Sequence, residues 1–365
     1  MRIRALVVDD SAFMRKALSM MLESDPSISV VDTARDGNEA IAKARRHRPD
    51  IITMDLDMPR LDGISAVRAI MKERPCPILM ISSLTKDGAQ ATLDAMEAGA
   101  VDFIPKDLAH VSLEITGIQD ELVEKVKALV GAKRAILARM SSPRPHSIPS
   151  GRVSAVPPAE SGARLSEAQP EVVVIAVSTG GPAVLQKLIP LFPSDYPLPI
   201  LVVQHMPPHF TRSLADRINA ASALYVVEAK SGMQVCAGMV LVAPGGQQML
   251  VRRSVLGVTV EIAEGGTESL YHPSADITLE SAVEAYGSGV LAVIMTGMGR
   301  DGRDGAISVK NAGGHVLAQS PETCVVDGMP RSVIERGLTD AVASVDGILE
   351  ILQSSAAEVL RRPGD

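Results

Sequence analysis

Short apolar runs alternate with amphipathic segments through the first 105 residues. The intervening segments, such as FMRKALSMMLES and GNEAIAKARRHR, have helical spacing of apolar residues. A further helix is predicted after Lys106, between Leu113 and Val130. Strands that alternate with helices indicate a parallel sheet covered by helices on both faces. The five runs that predict strands are IRALVV (3–8), ISVVDTA (28–34), DIITM (50–54), PILMIS (77–82) and VDFI (101–104).

The C-terminal half repeats this alternation with longer apolar runs. Most of them are apolar throughout, which is typical of strands buried on both faces of a parallel sheet. The middle group, between residues 223 and 263, is separated by glycine-rich turns, so we expect antiparallel hairpins there. The predicted strands are 171–177, 199–205, 223–229, 239–244, 248–253, 258–263, 289–296 and 315–319.

One stretch, residues 141–170, is rich in Pro, Ser, Gly and Ala and has no apolar periodicity. Such a composition is typical of a flexible linker. We therefore expect an α/β protein with two doubly wound parallel-sheet domains. The expected bounds are 1–125 for the first domain, 126–170 for a helical extension and the linker, and 171–355 for the second domain.

The composition argues against nucleic-acid-binding and membrane-inserted classes of protein. The 365 residues carry a net charge of −7, with 2% aromatic residues and no Trp. Nucleic-acid platforms need a basic face and stacking aromatics, so we expect no nucleic-acid partner. Three cysteines far apart in sequence form no CxxC pair, which indicates a reduced cytoplasm. No apolar run reaches about 20 residues, so we expect no signal peptide and no membrane insertion.

Acidic residues follow the strands of the first domain. Asp9 and Asp10 come directly after the first strand and Asp55 after the third, whereas Ser82 ends the fourth and Lys106 follows the fifth. The carboxyl ends of central parallel strands meet at one edge of a sheet, where ligands bind. Isolated strand-end aspartates often only cap turns. All five positions in this order predict a Mg²⁺ site beside a phosphoryl acceptor.

The motifs VVDDSAFMR, MDLDMPRLDG, ISS and FIPK resemble those of response-regulator receiver domains, over residues 1 to about 125. The resemblance implies a flavodoxin-like fold, and it differs at Asp107, where receivers usually carry proline. It implies that Asp55 is phosphorylated by a histidine kinase with Mg²⁺ as cofactor. The other implied residues are Asp9, Asp10 and the backbone carbonyl of Asp57 as metal ligands, and Ser82, Phe103 and Lys106 as switch and phosphate-facing residues.

A second candidate site begins at AVSTGGP, residues 176–182, which follows an apolar run directly. Glycines permit a sharp turn and close approach of a substrate, and Pro182 suits the first turn of a helix. The helix N-terminus favours an oxyanion. Ser178 is therefore a candidate nucleophile, although a phosphate-binding turn is a competing interpretation.

A serine nucleophile needs a base and an orienting carboxylate. His205 ends the run PILVVQ and should emerge at the same sheet edge as Ser178, with His209 in reserve. The loop GMGRDGRDG, residues 297–305, supplies Asp301 or Asp304, and its backbone N–H groups suit an oxyanion hole. Three strands far apart in sequence thus deliver one member each, which favours hydrolysis.

The motifs AVSTGGP, VVQHMPPHFTRSLA, YHPSADITLESA and IMTGMGRDG resemble the catalytic domain of the chemotaxis-type protein-glutamate methylesterases, the CheB family, over about 171–352. The resemblance implies a Rossmann-like α/β domain. It implies hydrolysis of glutamate γ-methyl esters, and deamidation of glutamines, on chemoreceptors in the cytoplasm, with no cofactor for the hydrolysis. The implied residues are Ser178 as nucleophile, His205 as base, Asp301 as orienting acid, the Met298 backbone in the oxyanion hole, and Thr179 in the cleft.

The order of the two domains suggests a regulatory hypothesis. An unmodified receiver packed over the cleft would block a bulky receptor helix, and phosphorylation of Asp55 would weaken that contact through Ser82 and Phe103. Two other classes of function stay open at this point. One is a non-catalytic output module whose STGGP turn binds a phosphate-bearing ligand, and the other is a receiver-linked DNA regulator.

Overall fold

The computed structural model of the chain describes residues 2–106, 115–132, 169–265 and 269–360. The chain divides into two compact units, Met1–Arg144 and Pro145–Asp365. Each unit is treated separately below. Within the described ranges, no helix has the length and apolar character needed to cross a membrane.

The first unit contains one five-stranded sheet in which all strands are parallel, in the order β2-β1-β3-β4-β5. This arrangement confirms the predicted parallel sheet with alternating helices. The strands are β1 (Ile3–Val8), β2 (Ile28–Ala34), β3 (Ile51–Asp55), β4 (Ile78–Ser82) and β5 (Asp102–Pro105). The helices are α1 (Ala12–Glu23), α2 (Gly37–His47), α3 (Gly63–Glu73), α4 (Lys86–Ala98) and α5 (Ile115–Gly131).

Polar residues at the strand ends begin the helices of this unit. The Asp36 and Asp62 carboxylates accept backbone N–H groups of α2 and α3, at 2.9 and 2.8 Å. The Thr85 hydroxyl accepts the Gly88 N–H at the start of α4 in the same way. Capping of this kind satisfies N–H groups that have no partner inside a helix. It fixes where each connection turns back over the sheet.

The second unit contains a seven-stranded parallel sheet, ordered β14-β13-β12-β6-β7-β9-β8, and a separate hairpin of β10 and β11. The strands are β6 (Val172–Val177), β7 (Ile200–Gln204), β8 (Tyr225–Glu228), β9 (Met239–Val242), β10 (Gln247–Ser254), β11 (Gly257–Glu264), β12 (Val290–Ile294), β13 (His315–Gln319) and β14 (Ala341–Ala343). The α-helices are α6 (Gly181–Leu188), α7 (Phe210–Ala221), α8 (Ala275–Tyr286), α9 (Arg303–Asn311), α10 (Gly328–Ile334) and α11 (Val345–Leu360).

The expectation of antiparallel hairpins holds only for β10 and β11, which pair antiparallel. It is wrong for β8 and β9, which pair in parallel, while β9 also pairs in parallel with β7. The physical reason is burial. Strand β9 lies inside the sheet, and its residues Val240, Leu241 and Val242 are all buried, as in other interior parallel strands. The short edge strand β14 was not predicted.

The register of the central strands positions the second candidate site. Ala176 of β6 is paired with Ile294 of β12, and Val177 is paired with Gln204 of β7. These three parallel strands therefore end at the same level. Residues that directly follow them emerge at one edge of the sheet, which is the usual ligand-binding edge of such folds.

The predicted linker lies almost entirely outside the described residues, apart from the end of α5 and residues 169 and 170. The proposed domain bounds of 1–125, 126–170 and 171–355 accordingly stay a prediction.

A glycine next to the acidic cluster offers a test of the first fold. A Cβ atom on Gly63, at the start of α3, would lie 2.0 Å from the carbonyl oxygen of Asp55. We expect Gly63→Ala to lower the free energy of unfolding of this unit by about 1–3 kcal/mol, because backbone must shift. Calorimetry of the full chain measures this change in the receiver transition.

Gly131→Ala is the matched control, since a Cβ there meets no atom within 4 Å. We expect it to be neutral or slightly stabilising, because alanine is the better helix former. Equal transitions for the two variants would contradict the close approach at Gly63.

Candidate active site

Ser178 lies at the turn between β6 and α6 and is half-buried. Its N–H donates to the Thr296 carbonyl at 3.0 Å, and its carbonyl accepts the Gly181 N–H at 2.8 Å. Gly180 has a φ of +79°, a conformation that residues with a Cβ rarely adopt. The glycine pair therefore lets the chain reverse at once, so that the serine stands at the sheet edge.

His205 follows β7 directly, and its backbone N–H donates to the Val177 carbonyl at 3.1 Å. The imidazole Nε2 lies 2.7 Å from Oδ2 of Asp301. The other ring nitrogen, Nδ1, is buried and has no hydrogen-bond partner among the described residues. With Nε2–H donating to the carboxylate, the neutral ring presents Nδ1 as an unoccupied acceptor.

Asp301 belongs to the loop after β12, and its carboxylate lies at the N-terminus of α8, where it accepts several hydrogen bonds. The Ser274 hydroxyl donates at 3.0 Å, and the backbone N–H groups of Ala275 and Asp276 donate at 2.6 and 3.1 Å. Burial alone would raise the pKa of Asp301. The hydrogen bond and charge of His205, together with the backbone donors, lower the pKa to about 2. The carboxylate is therefore ionised at neutral pH.

Tyr271 is a site residue to which no role was assigned from the sequence. Its ring stacks on that of His205, with centroids 4.4 Å apart and an interplanar angle of 9°. Such a contact limits rotation of the imidazole and shields one face from water. The only available signal was its place at the start of the motif YHPSADITLESA.

The loop after β12 packs against the turn that carries Ser178. The Gly297 N–H donates to the Val326 carbonyl at 2.8 Å, so it is occupied. In the described part of the chain, the Met298 N–H donates to no other group. Thr179 is buried, and its carbonyl accepts the Thr296 hydroxyl at 2.9 Å. Met298 therefore offers a backbone donor next to Ser178.

The alternative candidates lie apart from this arrangement. His209 is exposed at the start of α7. The Asp304 side chain is 56% exposed and pairs with Arg303 at 2.9 Å. The structure thus brings His205 and Asp301 together, and it brings neither reserve residue into contact with them.

The acidic cluster of the first unit lies at the ends of β1 and β3. One carboxylate oxygen each of Asp9, Asp10 and Asp55 lies within 4.8 Å of the others. The Lys106 ammonium is 2.9 Å from Oδ2 of Asp9 and 2.7 Å from Oδ1 of Asp55. Burial raises the pKa of Asp55 to about 6, with the Asp9 charge adding to this and Lys106 opposing it.

The predicted switch residues are both buried. The Ser82 hydroxyl lies 2.6 Å from that of Thr92 on α4. The Phe103 carbonyl accepts the Lys125 ammonium at 2.9 Å, and the same ammonium lies 5.8 Å from the centroid of its ring. Asp57 is exposed in the loop after β3. Asp107 lies outside the described residues.

The fold and the two sets of strand-end residues define a class of protein. One unit is a receiver-type domain with an acidic cluster and a lysine. The other is an α/β domain with a serine at a strand-to-helix turn, a histidine–aspartate pair and a backbone donor in the loop after β12.

Comparison with known proteins agrees with this class. The family described as CheB methylesterase matches residues 173–352, and that of the response regulator receiver domain matches residues 5–115. A protein-glutamate methylesterase/protein-glutamine glutaminase of Oleidesulfovibrio alaskensis is 46% identical, over 97% of this chain and 99% of that protein. Counterparts from Symbiobacterium thermophilum and Thermotoga maritima are each 44% identical, over 98% and 93% of this chain and 98% and 94% of those proteins. The chain belongs to this family of receiver-linked CheB methylesterases.

A carboxyl next to Asp301 provides a test of the electrostatics. Burial raises the pKa of Asp276 from 3.8 to about 7, and the charge of Asp301 adds to this. The folded chain therefore holds this proton more tightly than the unfolded chain. The resulting stabilisation is complete below about pH 3.8 and is lost as the pH rises to about 7.

We expect Asp276→Asn to gain stability relative to the wild type as the pH rises from 4 to 7. Asparagine keeps an acceptor for the Gly305 N–H but has no charge to bury. Urea unfolding at several pH values measures the difference. The exposed carboxyl of Asp216 provides a control, and a difference for Asp276→Asn that is constant with pH would contradict the prediction.

Proposed function

We propose that this protein is a phosphorylation-activated serine hydrolase that removes methyl groups from glutamate γ-methyl esters of chemoreceptors. We also propose that it deamidates receptor glutamines in chemosensory adaptation. The single observation that carries the catalytic assignment is the 2.7 Å contact between His205 Nε2 and Asp301 Oδ2, which leaves the buried Nδ1 without a hydrogen-bond partner among the described residues. The names of the related proteins support the substrate class.

In the proposed acylation step, Ser178 Oγ attacks the γ-carbonyl carbon of the ester while His205 Nδ1 takes the serine proton. The charge that develops on the carbonyl oxygen is met by the Met298 N–H and by the N-terminus of α6. Collapse of the tetrahedral intermediate breaks the bond to the methoxy group. The imidazolium returns its proton to that oxygen, methanol leaves, and a glutamyl ester of Ser178 remains.

In the proposed deacylation step, His205 takes a proton from water, which attacks the same carbon. Ser178 then leaves with that proton, and a free glutamate is released. A glutamine side chain would follow the same course with ammonia as the leaving group. Neither step needs a cofactor.

Asp301 orients the base and stabilises its charged form. Three donors besides His205 hold the carboxylate, and its pKa of about 2 keeps it ionised throughout the reaction. An ionised partner for Nε2–H selects the tautomer with Nδ1 as acceptor. Tyr271 and Thr179 would complete the walls of the cleft.

The acidic cluster supports phosphorylation of Asp55 by a chemotaxis-type histidine kinase. Three carboxylates within 4.8 Å form the hard oxygen donor set that Mg²⁺ prefers. Asp9, Asp10, Asp55 and the backbone carbonyl of Asp57 would hold the ion. A bound Mg²⁺ would offset the charge of the transferred phosphoryl group. Lys106 would contact the phosphoryl group from the other side.

The proposed regulation links the two domains, with bounds of 1–125 for the receiver and 171–355 for the catalytic domain. The unmodified receiver would restrict the cleft, and phosphorylation at Asp55 would reorient Ser82 and Phe103 and relieve this. With a chemoreceptor substrate and a cognate kinase, the protein would act in the cytoplasm. No nucleic-acid partner is proposed.

Methanol release from methylated receptor membranes tests the activity. We expect release by the wild type that increases with a small phosphodonor and Mg²⁺, and a fall of about 10⁴-fold or more for Ser178→Ala, because the nucleophile is lost. Asp55→Asn serves as the control that should keep basal release and lose stimulation. Unchanged release by a folded Ser178→Ala protein would refute the assignment.

Deletion of residues 1–140 tests the regulation. We expect basal methanol release to rise, since typical couplings of about 1–3 kcal/mol correspond to about 5- to 150-fold. The fragment should no longer respond to phosphodonor. A folded fragment with unchanged or lower activity would contradict inhibition by the receiver.

A further inference from the structure

A buried side-chain amide connects the backbones of the proposed nucleophile and base. Gln204, the last residue of β7, is 1% exposed. Its Nε2 donates one hydrogen bond to the Ser178 carbonyl at 3.0 Å and another to the His205 carbonyl at 3.1 Å. Both N–H groups of a single amide are thereby used on the two residues whose separation matters most for proton transfer.

The position of this amide follows from the sheet. The ladder between β6 and β7 ends with the pairing of Val177 and Gln204 and the bond from His205 N–H to Val177. Beyond this point, Ser178 enters the turn to α6 and His205 enters a loop. Hydrogen bonds between the backbones of β6 and β7 no longer hold these two segments together there. The Gln204 side chain supplies the next hydrogen bond across the gap, to the Ser178 carbonyl, and its second bond holds the His205 carbonyl of its own segment.

The oxygen of the Gln204 amide shows that packing alone does not explain a glutamine at this position. Oε1 of Gln204 is buried and has no hydrogen-bond partner among the described residues. It lies against Gly181, where a Cβ atom would come within 2.1 Å of it. An unsatisfied buried acceptor is destabilising, and an apolar side chain of similar length would avoid that cost. The two donated bonds are the compensating feature.

We propose that Gln204 is a positioning residue that sets the distance and orientation between Ser178 and His205. This inference rests on the proposed function, because it assigns Gln204 a role in that same site. Gln204 has no contact with substrate in this role. It acts by fixing two backbone carbonyls, and through them the directions in which Oγ and Nδ1 point.

The test compares the wild type with Gln204→Met, which has similar length and no donors. The probe is a fluorophosphonate, which labels activated serines without requiring a receptor. We expect the labelling rate at Ser178 and kcat for methanol release each to fall about 10- to 100-fold, since small misplacements of reacting groups have effects of this size. We expect KM to be unchanged, and the pH midpoint of the labelling rate to be unchanged because Asp301 still pairs with His205.

Ser281→Ala is the matched control, because this buried hydroxyl also makes two hydrogen bonds, to Thr278 and Val251, away from Ser178. It should label at the wild-type rate. Gln204→Leu is a second route to the same result, since it also removes both donors and leaves the nucleophile turn unchanged in sequence. It decides the matter if Gln204→Met fails to fold by circular dichroism.

Each outcome separates the two proposals. Wild-type protein that is not labelled at Ser178 would refute the hydrolase assignment itself. Labelling of the wild type and of folded Gln204→Met at equal rates would overturn the role of Gln204 and leave the hydrolase intact. A fall in labelling with a shifted pH midpoint would also overturn it, because the loss would then arise from the His205–Asp301 pair.

Discussion

The parallel register of β12, β6 and β7 is the constraint on which the second site depends. Hydrogen bonds between neighbouring strands place Ile294, Ala176 and Val177 at one level. Every group proposed for catalysis lies within a few residues of that level. Because the strands are buried and rigid, short loops suffice to present a serine, a histidine and a carboxylate that are far apart in sequence. The sheet therefore sets the level at which these loops begin.

The two sites shift the pKa of a buried carboxylate in opposite directions. Asp301 has a helix N-terminus, a hydroxyl and an imidazole around it, so its ionised form is favoured and its pKa falls to about 2. Burial, with the like charge of Asp9 adding to it, outweighs the neighbouring Lys106 at Asp55, so its pKa rises to about 6. A permanently charged carboxylate suits an orienting role. A carboxylate whose negative charge is only partly offset suits a site where a cation and a phosphoryl group bind.

Much of the fold followed from the pattern of apolar runs, yet the direction of β8 and β9 did not. Strands β8 and β9 were expected to form a hairpin, because short apolar runs between glycine-rich turns carry no information on direction. Their parallel pairing depends on β9 inserting next to β7. Likewise, nothing in the spacing of Tyr271 or Gln204 distinguishes a residue that supports the site from an ordinary core residue. Tyr271 meets His205, and the Gln204 amide meets Ser178, only after the chain has folded.

The sequence by itself determined which residues are candidates for chemistry, since strand-end polar groups at Asp9, Asp55, Ser178, His205 and Asp301 stand out against apolar runs. It also determined the class of fold, because helix and strand periods differ. The tertiary structure alone decided which of the alternatives meet. His205 rather than His209 contacts Asp301 rather than Asp304, and it does so through Nε2. Distances between distant segments depend on packing and register, which local sequence patterns do not encode.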